Sequence, residues 1–209
     1  MTPRERLTTA RLYLVTPARP RAWLEAAIRG GVDLIQLRDK SLDDDGIVQA
    51  SRTFRDTDAL FILNDRPDLV AKCRADGVHV GQDDAAPARA RELVGPDAIV
   101  GRSTHAPAQA EEAELDPDVD YLAAGPVHAT PTKPGRPAAG LEYVKYAATT
   151  VSKPWFAIGG LDRHTLPAAI VAGAQRAVVV RAITDAADPE QAARELSELL
   201  GVGIGSAKP

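Results

Sequence analysis

The sequence predicts a single (β/α)8 barrel, a TIM barrel, on three observations. Eight short apolar runs are spread along the chain, and Ala-rich segments with helical spacing lie between many of them. Buried strands of parallel sheets read as apolar runs, and their alternation with helices indicates βα units. The third observation is the segment Tyr13-Leu14-Val15-Thr16-Pro17-Ala18, which has no Gly-x-Gly-x-x-Gly pattern and so argues against a doubly wound open sheet.

The predicted elements account for most of the chain. The strands, in order, are residues 11–16, 33–37, 60–63, 77–80, 98–101, 120–123, 155–158 and 177–180. The predicted helical segments are residues 22–29, 69–74, 86–93, 107–113 and 141–149. Pro107 suits the first turn of its helix, where no backbone donor is needed. We expect a flexible N-terminal segment at residues 1–10, the barrel domain at 11–200 and a flexible tail at 201–209, where glycine alternates with other residues.

Composition limits the classes of function. The 209 residues include 25 Lys and Arg and 29 Asp and Glu, for a net charge of -4, and 44% are hydrophobic. No basic patch predicts nucleic-acid binding, and no apolar stretch reaches the roughly 18 residues of a membrane span. The N-terminus lacks the apolar core of a signal peptide, and the single cysteine, Cys73, excludes an internal disulfide. These points predict a cytoplasmic protein without a nucleic-acid or membrane partner, and they leave its assembly into a homo-oligomer open.

A loop of unusual composition follows the sixth apolar run. Residues 125–136 read Gly-Pro-Val-His-Ala-Thr-Pro-Thr-Lys-Pro-Gly-Arg. Hydroxyls, backbone amides and a cation grouped in this way suit an anion, and phosphate needs several donors together with charge. The alternative is a polar surface loop in which proline and glycine only set the turns.

The second run continues into Gln36-Leu37-Arg38-Asp39-Lys40. Alternation along an extended chain puts Gln36, Arg38 and Lys40 on one side, and an amide with two cations suits a diphosphate. The alternative is a solvated strand end with a local pair between Arg38 and Asp39. Active sites of parallel barrels lie at these carboxyl ends of the strands.

Two acidic residues follow the third and fourth runs. Asp65 lies in Asn64-Asp65-Arg66, and Asp84 lies in Gly81-Gln82-Asp83-Asp84. Magnesium is often held by only one or two carboxylates together with substrate phosphates and water, so these neighbouring strand ends can share one ion. The alternative for each residue is an N-cap of the helix that follows it.

Further donors follow the fifth, seventh and eighth runs. Ser103 offers a hydroxyl, with capping by Ser103 or Thr104 as the alternative. Gly159-Gly160 lets backbone amides approach a ligand, and Val180-Arg181 follows the eighth run, next to it in a common phosphate position.

The four histidines form no set with metal-ligand spacing on one element. His79 lies within an apolar run and is interpreted as a hydrogen-bonded core histidine. His105 and His128 fall on predicted loops, and His164 opens a predicted helical segment. The sequence has no Gly-x-Ser-x-Gly motif and no Cys/His nucleophile pair.

Together these motifs resemble the thiamine phosphate synthase family over most of the chain, from Tyr13-Leu14-Val15-Thr16 to Val180-Arg181-Ala182-Ile183. The matching motifs are Gln36-Leu37-Arg38-Asp39-Lys40, Asn64-Asp65-Arg66, Gly77-Val78-His79-Val80-Gly81-Gln82-Asp83-Asp84, Gly101-Arg102-Ser103-Thr104-His105, Gly125-Pro126, Thr130-Pro131-Thr132-Lys133 and Ile158-Gly159-Gly160. Each motif is modestly specific, and their order and spacing together are highly specific.

The resemblance implies a transferase reaction. The diphosphate of 4-amino-5-hydroxymethyl-2-methylpyrimidine condenses with 4-methyl-5-(2-hydroxyethyl)thiazole phosphate, giving thiamine phosphate and diphosphate. It implies Mg2+ on Asp65 and Asp84. It also implies pyrimidine diphosphate binding in the region of Gln36, Arg38, Asp39, Lys40, Asn64, Ser103 and Lys133, with Arg38, Lys40, Ser103 and Lys133 in catalysis. It implies thiazole phosphate binding by Thr130, Pro131, Thr132, Gly159 or Gly160, Val180 and Arg181.

Two residues depart from the pattern that the resemblance implies. Arg181 stands where the family commonly has Ser, and His128 stands where an aromatic residue is usual. Related barrels that tautomerise a thiazole carboxylate phosphate use a histidine, so a thiazole tautomerase-like barrel is one alternative. A non-catalytic barrel that binds thiamine phosphates is the other. The complete set of cations and carboxylates favours the synthase, because neither alternative needs a diphosphate site.

Overall fold

Eight parallel strands close into one barrel in the computed structural model, which describes residues 1–129 and 138–202. The strands are β1 (Leu12–Thr16), β2 (Leu34–Leu37), β3 (Leu60–Asn64), β4 (Gly77–Val80), β5 (Ile99–Thr104), β6 (Tyr121–Ala124), β7 (Trp155–Ile158) and β8 (Ala177–Val179). Each strand pairs with its sequence neighbour, and β8 closes on β1 through registers such as Leu14 opposite Val179. The predicted (β/α)8 barrel is therefore confirmed.

Helices surround the barrel, and the first of them precedes the first strand. They are α1 (Pro3–Thr9), α2 (Arg21–Arg29), α3 (Asp44–Ser51), α4 (Val70–Cys73), α5 (Pro87–Val94), α6 (Pro107–Leu115), α7 (Gly140–Thr150), α8 (Leu166–Val171), α9 (Arg181–Thr184) and α10 (Pro189–Val202), with a short 3-10 helix at Pro67–Leu69. Pro107 occupies the first turn of α6, as predicted. None of the helices in the described ranges is long and apolar enough to cross a bilayer.

The strands separate two layers of buried side chains. Alternate residues face the barrel interior, where Tyr13, Tyr121 and Phe156 pack edge to face with centroid separations of 5.5–6.0 Å. The other residues face outward and pack against the helices, as Leu14 and Val100 do. This burial on both faces is why the strands read as continuous apolar runs.

Gly101 makes room for the largest of these interior contacts. A Cβ atom at this position would lie 2.1 Å from Cζ of Tyr121, far inside ordinary van der Waals contact. The ring of Tyr121 therefore lies against the bare backbone of β5, and glycine is required there by close approach.

Both chain ends differ from the predicted boundaries. Residues 3–9, predicted as part of a flexible segment, form α1, whose first turn is closed by a capping box between Thr2 and Glu5. Leu7 is 2% exposed and packs into the inner core, so this helix covers one end of the barrel. At the other end α10 continues to Val202, past the predicted start of the tail at residue 201, and residues 203–209 lie outside the described residues.

Candidate active site

Polar side chains face the barrel interior on four consecutive strands. They are Gln36 on β2, Asn64 on β3, His79 on β4 and Ser103 on β5. Gln36, His79 and Ser103 are buried, with exposed fractions of 3%, 7% and 6%. Ile158 and Val180 pack against the inner core on the opposite side, so the barrel mouth has a polar half and an apolar half. Ser103 was expected in a loop but lies within β5, which extends three residues beyond its predicted end.

The structure brings the two predicted metal ligands close together. Burial, and after it the neighbouring carboxyl group of Asp84, raises the pKa of Asp65 to about 6. The side-chain amide of Asn64 donates to Asp65 over 2.5 Å, and the backbone N–H of Gly81 donates to Asp84 over 2.9 Å. Two carboxylates held together in a half-buried place repel each other when both are ionised, and a hard cation relieves that repulsion.

The backbone at Asp65 is unusual. Its φ of 59° is left-handed, a conformation that Asp tolerates better than most residues, and its N–H donates to the carbonyl of His79 over 2.8 Å. Its neighbour Arg66 is paired with Asp44 and Asp68. These contacts hold the turn after β3 and fix where the carboxylate of Asp65 lies.

The helix-capping alternatives do not hold. The cap residue of the 3-10 helix after Asp65 is Arg66 and that of α5 is Ala86, and neither makes a side-chain cap bond. The cap residue of α6 is Ala106, whereas the hydroxyl of Ser103 contacts His79 and that of Thr104 donates to the carbonyl of Ala123. The side chains predicted for the site are therefore not used to begin these helices.

The segment after β2 carries two cations and one carboxylate with a structural role. Arg38 is half-buried and Lys40 is exposed, and the charge of Lys40 acts on Asp65 by lowering its pKa. Asp39 accepts hydrogen bonds from Ser41 and from the backbone N–H of Ala18, and the Ser41 hydroxyl is the main reason that the pKa of Asp39 is lowered. Asp39 thus joins the loop after β2 to the loop after β1.

A cavity of about 300 Å³ opens on the apolar half of the barrel mouth. Its lining includes residues that the sequence analysis singled out, namely Ser103, His105, Gly159, Gly160, Val180 and Arg181. Gly159 and Gly160 have φ values of 109° and 65°, which other residues rarely adopt. The structure therefore brings Ser103 together with the predicted phosphate residues after β7 and β8, whereas the carboxylate pair lies on the other half of the mouth.

A chain of hydrogen bonds crosses the barrel interior beneath the mouth. The side-chain amide of Gln36 donates to the Tyr13 hydroxyl over 2.5 Å, and that hydroxyl lies 2.9 Å from the Tyr121 hydroxyl. His79 lies next, with Nδ1 3.0 Å from the Tyr121 hydroxyl and Nε2 2.9 Å from Oγ of Ser103. The interpretation of His79 as a hydrogen-bonded core histidine is confirmed.

Sequence reasoning missed Tyr13 and Tyr121, the two tyrosines of this hydrogen-bond chain. Each lies at an inward-facing position of an apolar run, and a buried tyrosine usually finds a partner for its hydroxyl. That rule predicts a polar network inside the barrel, but it does not identify the other residues of the network.

Part of the predicted site lies outside the described residues. Thr130, Pro131, Thr132 and Lys133 fall in the undescribed range 130–137. Just before it, the backbone N–H of His128 donates to the carbonyl of Gly159, which places the start of this loop beside the cavity. No group of three or more His, Cys, Asp or Glu side chains is placed to hold a metal ion within residues 1–129 and 138–202.

Comparison with known proteins agrees with this geometry. A family model described as thiamine monophosphate synthase matches residues 12–183. The chain belongs to this family. It is similar to the thiamine-phosphate synthase of Thermus thermophilus, with 52% identity covering 91% of this chain and 97% of that relative. It is also similar to that of Streptomyces avermitilis, with 46% identity covering 95% and 97%.

Relatives of this family also differ in length. The thiamine-phosphate synthase of Gloeobacter violaceus is 48% identical over 96% of this chain, but the chain spans only 60% of that relative. Among solved structures, the thiamine phosphate pyrophosphorylase of Pyrococcus furiosus matches with a TM-score of 0.84 and 30% identity, covering 97% and 99% of the two chains. A 3-hexulose-6-phosphate synthase matches with a TM-score of 0.67 and 24% identity, covering 90% and 99%, which shows a shared fold.

Proposed function

We propose that this protein condenses 4-amino-5-hydroxymethyl-2-methylpyrimidine diphosphate with 4-methyl-5-(2-hydroxyethyl)thiazole phosphate, giving thiamine phosphate and diphosphate. Membership of the thiamine monophosphate synthase family supports this reaction. The observation in this structure that supports the reaction best is that the barrel mouth has two different halves. Asp65 and Asp84 lie beside Lys40 on one half, and a cavity lined by two glycines with positive φ lies on the other. The half with the carboxylates and Lys40 suits a diphosphate with its metal ion, and the half with the cavity suits a phosphate ester.

The pyrimidine diphosphate is assigned to the polar half. Gln36, Asn64 and Ser103 supply neutral hydrogen-bonding groups, and Arg38 and Lys40 supply positive charge. Lys133, from the undescribed range, adds a third cation to this assignment. Asp39 remains in the assignment as the residue that holds the loop carrying Arg38 and Lys40, through its bonds to Ala18 and Ser41.

Magnesium is assigned to Asp65 and Asp84. The donor set fits it, because two neighbouring carboxylates, of which Asp65 has its pKa raised by burial and by Asp84, are stabilised by a hard divalent cation, and such a cation favours oxygen ligands. When bound, the ion would withdraw charge from the departing diphosphate. Asn64 and Gly81 keep the two carboxylates oriented toward one place.

The thiazole phosphate is assigned to the apolar half. The backbone at Gly159 and Gly160 and the segment Val180-Arg181 line the cavity. Loops after the seventh and eighth strands commonly form a phosphate site in such barrels. Thr130, Pro131 and Thr132, outside the described residues, complete this assignment.

The residues then act through charge and alignment. The bond between the pyrimidine methylene carbon and the diphosphate oxygen breaks with its electron pair leaving on oxygen, and the thiazole nitrogen gives its lone pair to that carbon. Arg38, Lys40 and Lys133 stabilise the charge that develops on the leaving group, and Ser103 donates a hydrogen bond to it. Holding the thiazole in the facing cavity aligns its nitrogen with the methylene carbon. No protein nucleophile is required.

The metal site can be tested by calorimetry and kinetics together. Asp65→Asn and Asp84→Asn should each abolish magnesium binding measured by titration calorimetry of chelator-treated protein, and turnover should fall on the order of 100-fold or more. Asp45→Asn is the matched control, because Asp45 is an exposed acid in the first turn of α3. Full turnover of the wild type in excess chelator would contradict the proposal.

The alternatives predict other results in the same assay. A tautomerase-like barrel would convert a thiazole carboxylate phosphate without the pyrimidine substrate, and a non-catalytic barrel would bind thiamine phosphate without turnover. The cytoplasmic location and the oligomeric state remain predictions.

A further inference from the structure

The hydrogen-bond chain inside the barrel ends at two residues assigned to the pyrimidine substrate. It runs from Gln36 through Tyr13, Tyr121 and His79 to Ser103, and its four contacts are 2.5–3.0 Å long. Gln36 and Ser103 lie on β2 and β5, with the whole interior of one barrel half between them. The two side chains are linked through the three residues between them and not by a direct contact.

The direction of each hydrogen bond in the chain follows from the first one. The Gln36 amide nitrogen donates to the Tyr13 oxygen, so the single hydroxyl hydrogen of Tyr13 is left for Tyr121. The hydroxyl hydrogen of Tyr121 is then left for Nδ1 of His79. A neutral imidazole that accepts at Nδ1 carries its hydrogen at Nε2, which donates to Oγ of Ser103.

Burial keeps the hydroxyls of Tyr13 and Tyr121 protonated, as the direction of these hydrogen bonds requires. Tyr13 and Tyr121 are 1% and 0% exposed, and desolvation raises the pKa of both hydroxyls. Each therefore keeps its one hydrogen and acts as one donor and one acceptor in the chain. Reversing any one bond requires reversing all of them.

We propose that Tyr13, Tyr121 and His79 are positioning residues that fix opposite hydrogen-bonding roles at the two ends of the chain. Gln36 is left with its carbonyl oxygen as the acceptor for the ligand, beside its second amide hydrogen, and Ser103 is left with its hydroxyl hydrogen as the donor. On the proposed function, these roles match an exocyclic amine, which donates, and a diphosphate, whose oxygens accept. The chain thereby rejects ligands with the donor and acceptor exchanged, since a mismatched buried polar group loses its partner.

A substitution at one end should change the proton position at a distant residue. In Gln36→Glu an ionised carboxylate can only accept, so Tyr13 must donate to it and Tyr121 must donate to Tyr13. The Tyr121 oxygen then accepts from His79, so the neutral imidazole carries its hydrogen at Nδ1 instead of Nε2, and Nε2 accepts from the hydroxyl of Ser103. A purely structural role of the tyrosines predicts no such change at His79.

The first test is nitrogen NMR of the imidazole of His79 in protein labelled at histidine. The wild type should show Nε2 protonated and Nδ1 unprotonated, and Gln36→Glu should show Nδ1 protonated. A wild type with protonated Nδ1 would overturn the proposal, and so would a Gln36→Glu protein that folds and keeps Nδ1 unprotonated. This measurement needs no substrate, so it decides the order of the bonds even if the proposed reaction fails.

The second test is kinetic and uses a matched pair of variants. Tyr121→Phe removes the central hydroxyl, whereas the control Tyr143→Phe removes a buried hydroxyl that donates to Thr104 over 2.7 Å on the outer face of the barrel. Tyr121→Phe should lower kcat on the order of 10- to 100-fold, as loss of a supporting partner typically does, with an unchanged KM for the thiazole phosphate. Tyr143→Phe should keep the wild-type kcat. Equal effects of the two variants, or a change confined to thermal stability, would overturn the positioning role.

Discussion

Replacing Gly101 by alanine should disturb the barrel interior more than any other addition of one methyl group to β5. The added Cβ would lie 2.1, 2.3 and 2.5 Å from Cζ, Cε1 and the hydroxyl oxygen of Tyr121, where ordinary contacts are about 3.5–4.0 Å. The ring of Tyr121 is fully buried and packs edge to face on Tyr13 and Phe156, so it has no open space to enter. Overpacking of this kind costs about 1–3 kcal/mol.

The same shift would disturb two hydrogen bonds. The Tyr121 hydroxyl contacts both Tyr13 and His79, and each buried bond contributes about 0.5–1.5 kcal/mol. Gly101→Ala should therefore lower the free energy of unfolding by about 2–6 kcal/mol, measured by urea denaturation. It should also lower kcat in the same way as Tyr121→Phe, because Ser103 loses its orientation.

The matched control is Gly201→Ala, in α10, where an added Cβ meets nothing within 4 Å. This change should be neutral or stabilise by up to about 1 kcal/mol, since alanine favours a helix. If Gly101→Ala changed stability by less than about 0.5 kcal/mol, an amount typical of surface substitutions, the packing of Tyr121 against β5 would be refuted.

Three further predictions concern the metal site, the N-terminal helix and the phosphate end of the cavity. Because the pKa of Asp65 is raised to about 6, its protonated carboxyl group stabilises the metal-free fold below pH about 4, and this stabilisation is lost as the pH rises through 6. In chelator, the melting temperature of Asp65→Asn minus that of the wild type should therefore increase from pH 4 to pH 8. A constant difference would contradict the raised pKa. Leu7→Ala should cost about 2–5 kcal/mol in urea denaturation, whereas no loss would mean that α1 does not cover the barrel. Arg181→Ser should raise the KM for the thiazole phosphate roughly tenfold and leave that for the pyrimidine diphosphate unchanged; unchanged values for both would limit this position to a backbone role.

The barrel was predictable because its strands are buried on both faces. Runs such as Trp155–Ile158 and Gly77–Val80 have the predicted bounds, since most of their residues are apolar and buried between the two cores. α3 was not predicted, because its sequence begins Asp44-Asp45-Gly46, a poor helix pattern. A hydrogen bond from the backbone of Gly46 to Asp43 begins that helix instead.

The positions of the candidate site residues were predictable from the sequence, but their contacts were not. Reading the strand ends placed Asp65, Asp84 and Gly159-Gly160 at the barrel mouth, because the carboxyl ends of all eight strands meet there. It could not find that Ser103 contacts His79 and that His79 contacts Tyr121, since these residues come from three different strands and meet only through the inward alternation of the closed barrel. The role of α1 was missed for the same reason, because Leu7 packs into an inner core to which strands as far apart in sequence as β1 and β8 contribute.

The most direct test of the proposed function is a turnover measurement on the wild-type chain. Purified protein with magnesium, the pyrimidine diphosphate and the thiazole phosphate should produce thiamine phosphate and diphosphate in equal amounts, followed by mass spectrometry and by a diphosphate assay. Omitting either substrate or adding excess chelator should stop both products. A folded protein that binds both substrates and forms neither product would contradict the proposed function.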